Sequence, residues 1–157
     1  MAWSESKIFV STIEDILENT TAIDLNSSTF NVALFDNSIT PSQTVVSAET
    51  AYNAAAGVWD SGEVYDGAEW AQGGQALDSV TFAPTSNVLK FDADNEVSAG
   101  TSATLVNVYG VLIYNTDINT PVDSQGLCYL YAGGVNSVTD GTLTVIFHTN
   151  GIMTFTL

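Results

Sequence analysis

The sequence has almost no basic residues. Its 157 residues include no arginine and only two lysines, Lys7 and Lys90, against 18 acidic residues, so the formal net charge is −16. Proteins that bind nucleic acid neutralise phosphates with Lys and Arg, which two lysines cannot do. The same negative field opposes docking onto an anionic membrane surface. We therefore expect neither nucleic acid nor a membrane as a partner.

Cysteine and histidine are equally scarce. The single cysteine, Cys128, excludes an intramolecular disulfide, and its apolar neighbours indicate a small buried side chain. The single histidine, His148, has no sequence-level partner for a catalytic triad and precedes a tight turn, so we interpret it as an exposed residue. We expect no enzymatic activity, and we assign no catalytic, cofactor-binding or metal-binding residue.

Two segments leave weaker alternatives open. The acidic run 92–96 is similar to part of a calcium-binding loop, but it lacks the glycine and the distant glutamate that make such a loop specific. Trp59, Tyr65 and Trp70 lie among glycines and would suit a platform on which a sugar stacks. Aromatic anchors of loops are the commoner use of such residues.

No long apolar run is present either. The longest uncharged stretch after Glu96 alternates polar and apolar residues, as strands do and membrane helices do not. Glu14 and Asp15 interrupt the apolar stretch after Lys7, so we expect no signal peptide and synthesis in a cytoplasm. With 45% hydrophobic residues, 1–157 is long enough for a single domain with its own core.

An amphipathic helix is predicted near the N-terminus. Ser4 is the candidate cap of a helix over 5–18, in which Phe9, Ile13 and Ile16 form an apolar stripe that packs on a sheet. The side chains predicted to face away from that sheet are Glu14, Asp15 and Glu18.

The rest of the chain has strand patterns broken by Gly, Asn and Asp turns. The segment 29–36 alternates, with Phe30, Val32 and Leu34 on one side. Further strands are predicted at 76–82, 88–91, 102–115 and 126–132, after a long excursion at 38–57 and a glycine-rich loop at 57–75. The pattern predicts a mainly β fold, namely a β-sandwich or jelly-roll-like antiparallel domain with one N-terminal helix.

The last predicted element is a C-terminal hairpin. A three-residue loop at 149–151, with Gly151 in the left-handed conformation, brings the apolar residues of 141–148 and 152–157 to one face, whereas a two-residue loop does not. The residues of that face are Leu143, Val145, Phe147, Met153, Phe155 and Leu157.

The strand at 102–115 is apolar on both faces, although an antiparallel strand with one wet face alternates. The two faces carry Leu105, Tyr109, Val111 and Ile113, and Val106, Val108, Leu112 and Tyr114, respectively. From residue 97 onward only Asp117, Asp123 and Asp140 are charged. Either another part of the domain or another subunit must cover the second face, since small monomers seldom leave large apolar patches open.

Several short motifs follow one another in a characteristic order. A Phe-Asn-Val-Ala-Leu-Phe strand precedes a Trp-Ala-Gln-Gly-Gly stretch and a strand that ends in Leu-Lys-Phe-Asp-Ala-Asp. Next come Tyr-Gly-Val-Leu-Ile-Tyr-Asn, Gly-Leu-Cys-Tyr-Leu-Tyr and a closing Gly-Thr-Leu-Thr-Val with Asn-Gly-Ile. They stand at 30–35, 70–74, 89–94, 109–115, 126–131, 141–145 and 150–152. This order resembles that of a family of small virion proteins of tailed bacteriophages.

The resemblance implies a non-enzymatic structural protein of the virion, a capsid decoration or minor capsid protein that stabilises the head. Its partners would be the major capsid protein and other copies of itself, arranged as a trimer because decoration proteins commonly sit at local threefold positions. It would be made in the host cytoplasm and reside on the capsid surface. A tail or fibre-tip protein and a carbohydrate-binding module are the alternatives.

Overall fold

A computed structural model describes residues 3–157. The helices are α1 Val10–Leu17 and α2 Ser47–Thr50, and neither is long and apolar enough to cross a membrane. The strands in 3–157 are β1 Lys7–Ile8, β2 Phe30–Phe35, β3 Glu63–Val64, β4 Gln75–Ala76, β5 Thr81–Thr85, β6 Val88–Asp92, β7 Glu96–Val97, β8 Ala103–Asn115, β9 Gly126–Gly141, β10 Thr144–Val145 and β11 Met153–Thr156. The predicted mainly β fold with a short N-terminal helix is confirmed.

The strands form one large sheet and two small ones, all antiparallel. The large sheet has the order β1-β9-β8-β2-β3, and β4 also pairs with β2. The small sheets are β5-β6-β11 and β7-β10. Side chains of both small sheets share a hydrophobic cluster with one face of the large sheet, which gives a sandwich-like arrangement.

The first core cluster lies between these layers. Phe30 of β2 and Phe91 of β6 are fully buried, and their rings meet edge to face with centroids 5.2 Å apart. Val32 and Leu34 belong to the same cluster, so the predicted inward face of β2 is confirmed. An aromatic pair of this geometry contributes about 0.5–1.5 kcal/mol beyond the area it buries.

The second core cluster covers the opposite face of the large sheet. Trp3, Phe9 and Trp59 pack there with Leu112 and Tyr129, and all five are buried. The chain's own N-terminal segment and the segment 36–62 therefore cover Leu112 and Tyr114 on the second apolar face of β8, whereas Val106 on that face is 46% exposed.

Irregularities in β8 change which of its side chains share a face. Asn107 has a φ of 63°, and the register with β9 shifts between Leu105 and Val108 and again before Gly110. Leu105 and Val108 consequently lie in the first cluster together, while Tyr109 packs on the second. The predicted positions of Val108 and Tyr109 were wrong, because side-chain alternation does not continue through a β-bulge.

The N-terminal helix is shorter than predicted. Residues 7–8 form β1, and the helix begins only at Val10. Ser4 is therefore not its cap: Phe9 occupies the N-cap position, and no side chain makes a capping hydrogen bond there. Pairing with β9 satisfies the backbone of β1 and overrides the local helical pattern. At the other end, Asn19 is left-handed with a φ of 58° and stops the helix.

The predicted C-terminal hairpin is wrong in its pairing. β10 pairs with β7 and β11 pairs with β6, so the two segments lie in different sheets. Gly151 does have a positive φ, 95°, and Leu157 is exposed. The other residues of the predicted face all contribute to the first cluster, namely Leu143, Val145, Phe147, Met153 and Phe155. Alternation identified five of the six side chains that pack inward, but not which strand is the neighbour.

Candidate interaction surfaces

An open cleft of about 480 Å³ lies between the large sheet and the segment 143–152. Its lining residues are Ser6, Leu34, Val108, Val111, Leu130, Tyr131, Ala132, Asn136, Leu143, Thr144, Val145, Ile146, Phe147, His148, Gly151 and Ile152. None of them is Asp, Glu, Lys or Arg, although the chain carries 18 acidic residues. We call this surface the uncharged cleft.

A bulge in β9 borders the uncharged cleft. Val108 pairs with Asn136 and Gly110 pairs with Tyr131, so residues 132–135 of β9 face a single residue of β8. Gly133 and Gly134 within this bulge both have positive φ values, 77° and 151°. Asn136 holds the bulge by donating from Nδ2 to the carbonyl of Gly134 at 3.1 Å. Bulges of this kind re-aim side chains next to functional sites.

Large apolar side chains are exposed at the cleft and at the bulge. Ile146 in the cleft wall is 74% exposed, and Val135 in the bulge is 55% exposed. Contiguous exposed apolar surface marks interaction sites, whereas single exposed residues need no explanation. The cleft itself combines a mostly apolar lining and the exposed Ile146 with an absence of charged lining residues.

A second apolar surface runs along α1. Val10, Ile13 and Leu17 occupy positions i, i+3 and i+7, so they lie on one side of the helix. Val10 is 55% and Leu17 is 81% exposed. These residues and Phe155 of β11 line an open groove, which we call the helix groove.

The inward side of α1 also carries polar side chains that bind the rest of the fold. Thr12 is fully buried and donates from Oγ1 to the carbonyl of Gly126 at 2.6 Å. Asp15 accepts from Ser47 Oγ at 2.6 Å and from Gln125 Nε2 at 2.7 Å. Burial raises the pKa of Asp15, but its hydrogen bonds outweigh burial, so its pKa lies below the usual value. The prediction that Asp15 faces away from the fold was therefore wrong.

The predicted apolar stripe of the helix packs inward, although its members contact two different clusters. Phe9 is fully buried in the second cluster, and Ile16 is half-buried against the first. Ile13 is also half-buried and packs against the first cluster, and one side of it lines the helix groove. Glu14 and Glu18 are exposed as predicted and lie beside the same groove.

The tryptophans proposed as a sugar platform lie inside the protein. Trp59 is 2% exposed and Trp70 is 0% exposed, whereas Tyr65 is 49% exposed. A sugar stacks on a ring face that solvent can reach, and neither tryptophan offers one. Their burial corresponds to the alternative reading of these residues as loop anchors.

The acidic run 92–96 uses its carboxylates within the fold. Asp92 accepts from Lys90 Nζ at 2.7 Å, and Glu96 Oε1 accepts the backbone N–H of Asp78 at 3.0 Å. Within residues 3–157, no three His, Cys, Asp or Glu side chains are grouped to hold a metal ion.

Glu96→Gln is expected to raise the stability at pH 7. Burial raises the pKa of Glu96; the hydrogen bond from Asp78 opposes this, and the charges of Asp78 and Asp94 raise the pKa further. Because the folded pKa lies above the unfolded one, ionised Glu96 destabilises the fold, and this cost disappears as the pH falls through the folded pKa. Glutamine keeps the acceptor for Asp78. Urea unfolding of both proteins from pH 7 to pH 4 should show the gap closing; a less stable variant at pH 7 would contradict this.

Cys128 and His148 lie as the sequence predicts. Cys128 is buried, and burial raises the pKa of its thiol to about 12. His148 is exposed, and its Nδ1 accepts the backbone N–H of Asn150 at 3.1 Å. It also lines the uncharged cleft.

The sequence pattern predicted a strand ending at residue 132, whereas β9 continues to Gly141 through the bulge. The adjacent Gly133 and Gly134 were the available signal, because glycine within a strand often marks a bulge. The low charge beyond residue 97 corresponds to the uncharged cleft, most of whose lining residues lie between Leu130 and Ile152. The comparisons with known proteins found no matching family model, no similar curated protein and no similar solved structure.

Proposed function

We propose that this chain is a non-enzymatic structural protein of a tailed-bacteriophage virion, and that it stabilises the head as a capsid decoration or minor capsid protein. The observation that carries the proposal is the uncharged cleft. A protein of net charge −16 keeps one apolar surface free of charged lining residues, which suits contact with another protein. The virion class comes from the order of the sequence motifs.

Charge determines how such a protein can assemble. Neighbouring copies repel one another within a Debye length of roughly 8–10 Å in physiological salt. The lysines offer little relief, because Lys7 pairs with Glu5 at 3.0 Å and Lys90 pairs with Asp92 at 2.7 Å. The proposed trimer and the proposed contact with the major capsid protein must therefore bury uncharged surface, and the cleft supplies it.

The outer edge of β9 offers a second means of attachment. β1 pairs with this edge only at Tyr129 and Cys128. From residue 132 to Gly141, β9 pairs with β8 on its inner edge, and no strand of 3–157 pairs with its outer edge. Such an edge accepts a strand from a neighbouring chain, and the backbone hydrogen bonds formed there do not depend on net charge.

Retention on particles should be nearly insensitive to salt, because apolar and backbone contacts are not screened. Ile146→Asp should lower retention about tenfold or more, since a carboxylate desolvated in an apolar contact costs more than about 1.4 kcal/mol. The matched control is Val46→Asp, at a side chain 64% exposed outside the cleft. The measurement is mass spectrometry of purified particles after a salt series, with copy number relative to the major capsid protein.

Other results would overturn the proposal in distinct ways. Release by high salt would mean that the contact is electrostatic. A tail or fibre-tip role would be favoured by a copy number far below that of the major capsid protein. It would also be favoured if particles that lack this chain released their genome at an unchanged temperature. The carbohydrate-binding alternative requires a glycan to quench tryptophan fluorescence, and the burial of Trp3, Trp59 and Trp70 favours no response.

A further inference from the structure

We infer that the helix groove binds a basic amphipathic helix of a partner protein. This goes beyond the proposed function, because the groove is a different surface from the uncharged cleft and shares no lining residue with it. The inference rests on three properties of α1: the spacing of its exposed apolar residues, the polar contacts on its inward side, and the carboxylates along its outer side.

The spacing fits a helical partner. Val10 and Leu17 are exposed on the solvent side of α1 and form a ridge with the half-buried Ile13 between them, and Phe155 lines the groove beside this ridge. The ridge of one helix packs into the groove beside another, with anchors at i, i+3 and i+7. A partner helix lying along α1 would cover Val10 and Leu17, which are more than half exposed.

The exposure of this ridge is fixed by the fold. Turning α1 to bury Leu17 would break the buried Thr12–Gly126 hydrogen bond and the bond from Gln125 to Asp15. Each loss would strand a polar group that cannot reach water without opening the structure. Val10 and Leu17 are therefore held outward, where a partner can reach them.

Carboxylates determine the charge of the partner. Glu14 and Glu18 are exposed beside the groove, and the ion pairs found in 3–157 are made by Lys7 and Lys90 with other acids. A second copy of this chain would set its own Glu14 and Glu18 in the same contact, which like charges oppose. A partner helix whose apolar stripe is flanked by Lys or Arg can pack its stripe on the ridge and pair its basic residues with Glu14 and Glu18.

The purified full chain can be tested with two synthetic helical peptides. One carries leucines at helical spacing flanked by lysines; its matched version has every lysine replaced by glutamate. Calorimetric titration should show binding of the lysine peptide at low salt, weakening as salt rises, and no measurable binding of the glutamate peptide.

Variants of the chain assign the contact. Leu17→Ser should reduce affinity for the lysine peptide about tenfold, since the most exposed apolar anchor of the ridge is lost. Glu14→Gln and Glu18→Gln should each reduce it about two- to fivefold and flatten the salt dependence. Leu17 is 81% exposed, so its replacement leaves the core unchanged. Ile146→Ser, in the uncharged cleft, is the control and should bind normally.

Three outcomes would overturn the inference: equal binding of both peptides, no binding of the lysine peptide, or unchanged binding by the Leu17→Ser variant. Sedimentation of the wild type at micromolar concentration adds a fourth. Self-association abolished by Leu17→Ser would make a second copy the occupant of the groove. None of these measurements uses particles, so their failure is distinguishable from failure of the capsid proposal.

Discussion

Trp59→Ala is expected to lower the free energy of unfolding by about 3–5 kcal/mol, as large aromatic-to-alanine changes in cores do. Trp59 is 2% exposed and joins parts of the chain that are far apart in sequence. Its ring lies 5.9 Å from that of Trp3, 6.1 Å from Phe9, 5.0 Å from Phe35 and 6.1 Å from Tyr129. Its removal leaves a cavity between the N-terminal segment and the large sheet.

Urea unfolding followed by circular dichroism measures the effect, because the midpoint falls while the slope stays constant if only stability changes. The control is Tyr65→Ala, an aromatic of the same loop region that is 49% exposed, for which we expect a change within about 0.5 kcal/mol. Equal midpoints for the two variants would show that Trp59 is not part of the core.

Gly74→Ala is expected to destabilise the fold by about 3 kcal/mol or more. Gly74 has a φ of 80°, which costs an L-residue about 1–2 kcal/mol. A Cβ at this position would also overlap the carbonyl oxygen of Val32 and approach Ala33 Cα to 2.8 Å. These are backbone atoms of the central strand β2 and cannot move aside, so overpacking adds to the conformational cost.

Gly133→Ala separates the two contributions. Gly133 has a similar φ of 77°, but no atom lies within 4 Å of a Cβ built there. Its replacement should cost only the conformational part, about 1–2 kcal/mol. Thermal and urea unfolding of both variants supply the comparison. Equal losses would mean that backbone conformation alone explains the requirement at Gly74 and that close packing on β2 contributes nothing.

The uncharged cleft and the helix groove differ in the kind of contact they offer. The cleft combines apolar walls with the bulge at 132–135 and lacks charged lining residues, so contact there should resist salt. The groove combines an apolar ridge with Glu14 and Glu18, so contact there should weaken in salt. Salt dependence can therefore assign a partner to one surface or the other.

The sequence by itself determined the features that depend on composition and local alternation. The excess of carboxylates was read directly, and alternation placed Phe30, Val32 and Leu34 on one buried face. It also selected five residues of the segments 141–148 and 152–157 that contribute to the first cluster, including Phe147 and Met153, although Leu157 is exposed. A period of two fixes the face of a side chain in a regular strand, but it failed at Val108 and Tyr109, where β8 is irregular.

Only the tertiary structure decided which segments are neighbours. The local pattern predicted that 141–148 and 152–157 pair with each other. In the structure β10 pairs with β7 and β11 pairs with β6 instead. Local pattern also started the helix too early and turned Asp15 outward, because it contained no sign that β9 would take residues 7–8 or that Gln125 would bind the carboxylate. The contacts of residues 7–8 with β9 and of Asp15 with Gln125 join residues more than a hundred positions apart. Which backbone and polar groups pair over such separations depends on the free energy of the whole fold, which a local pattern does not contain.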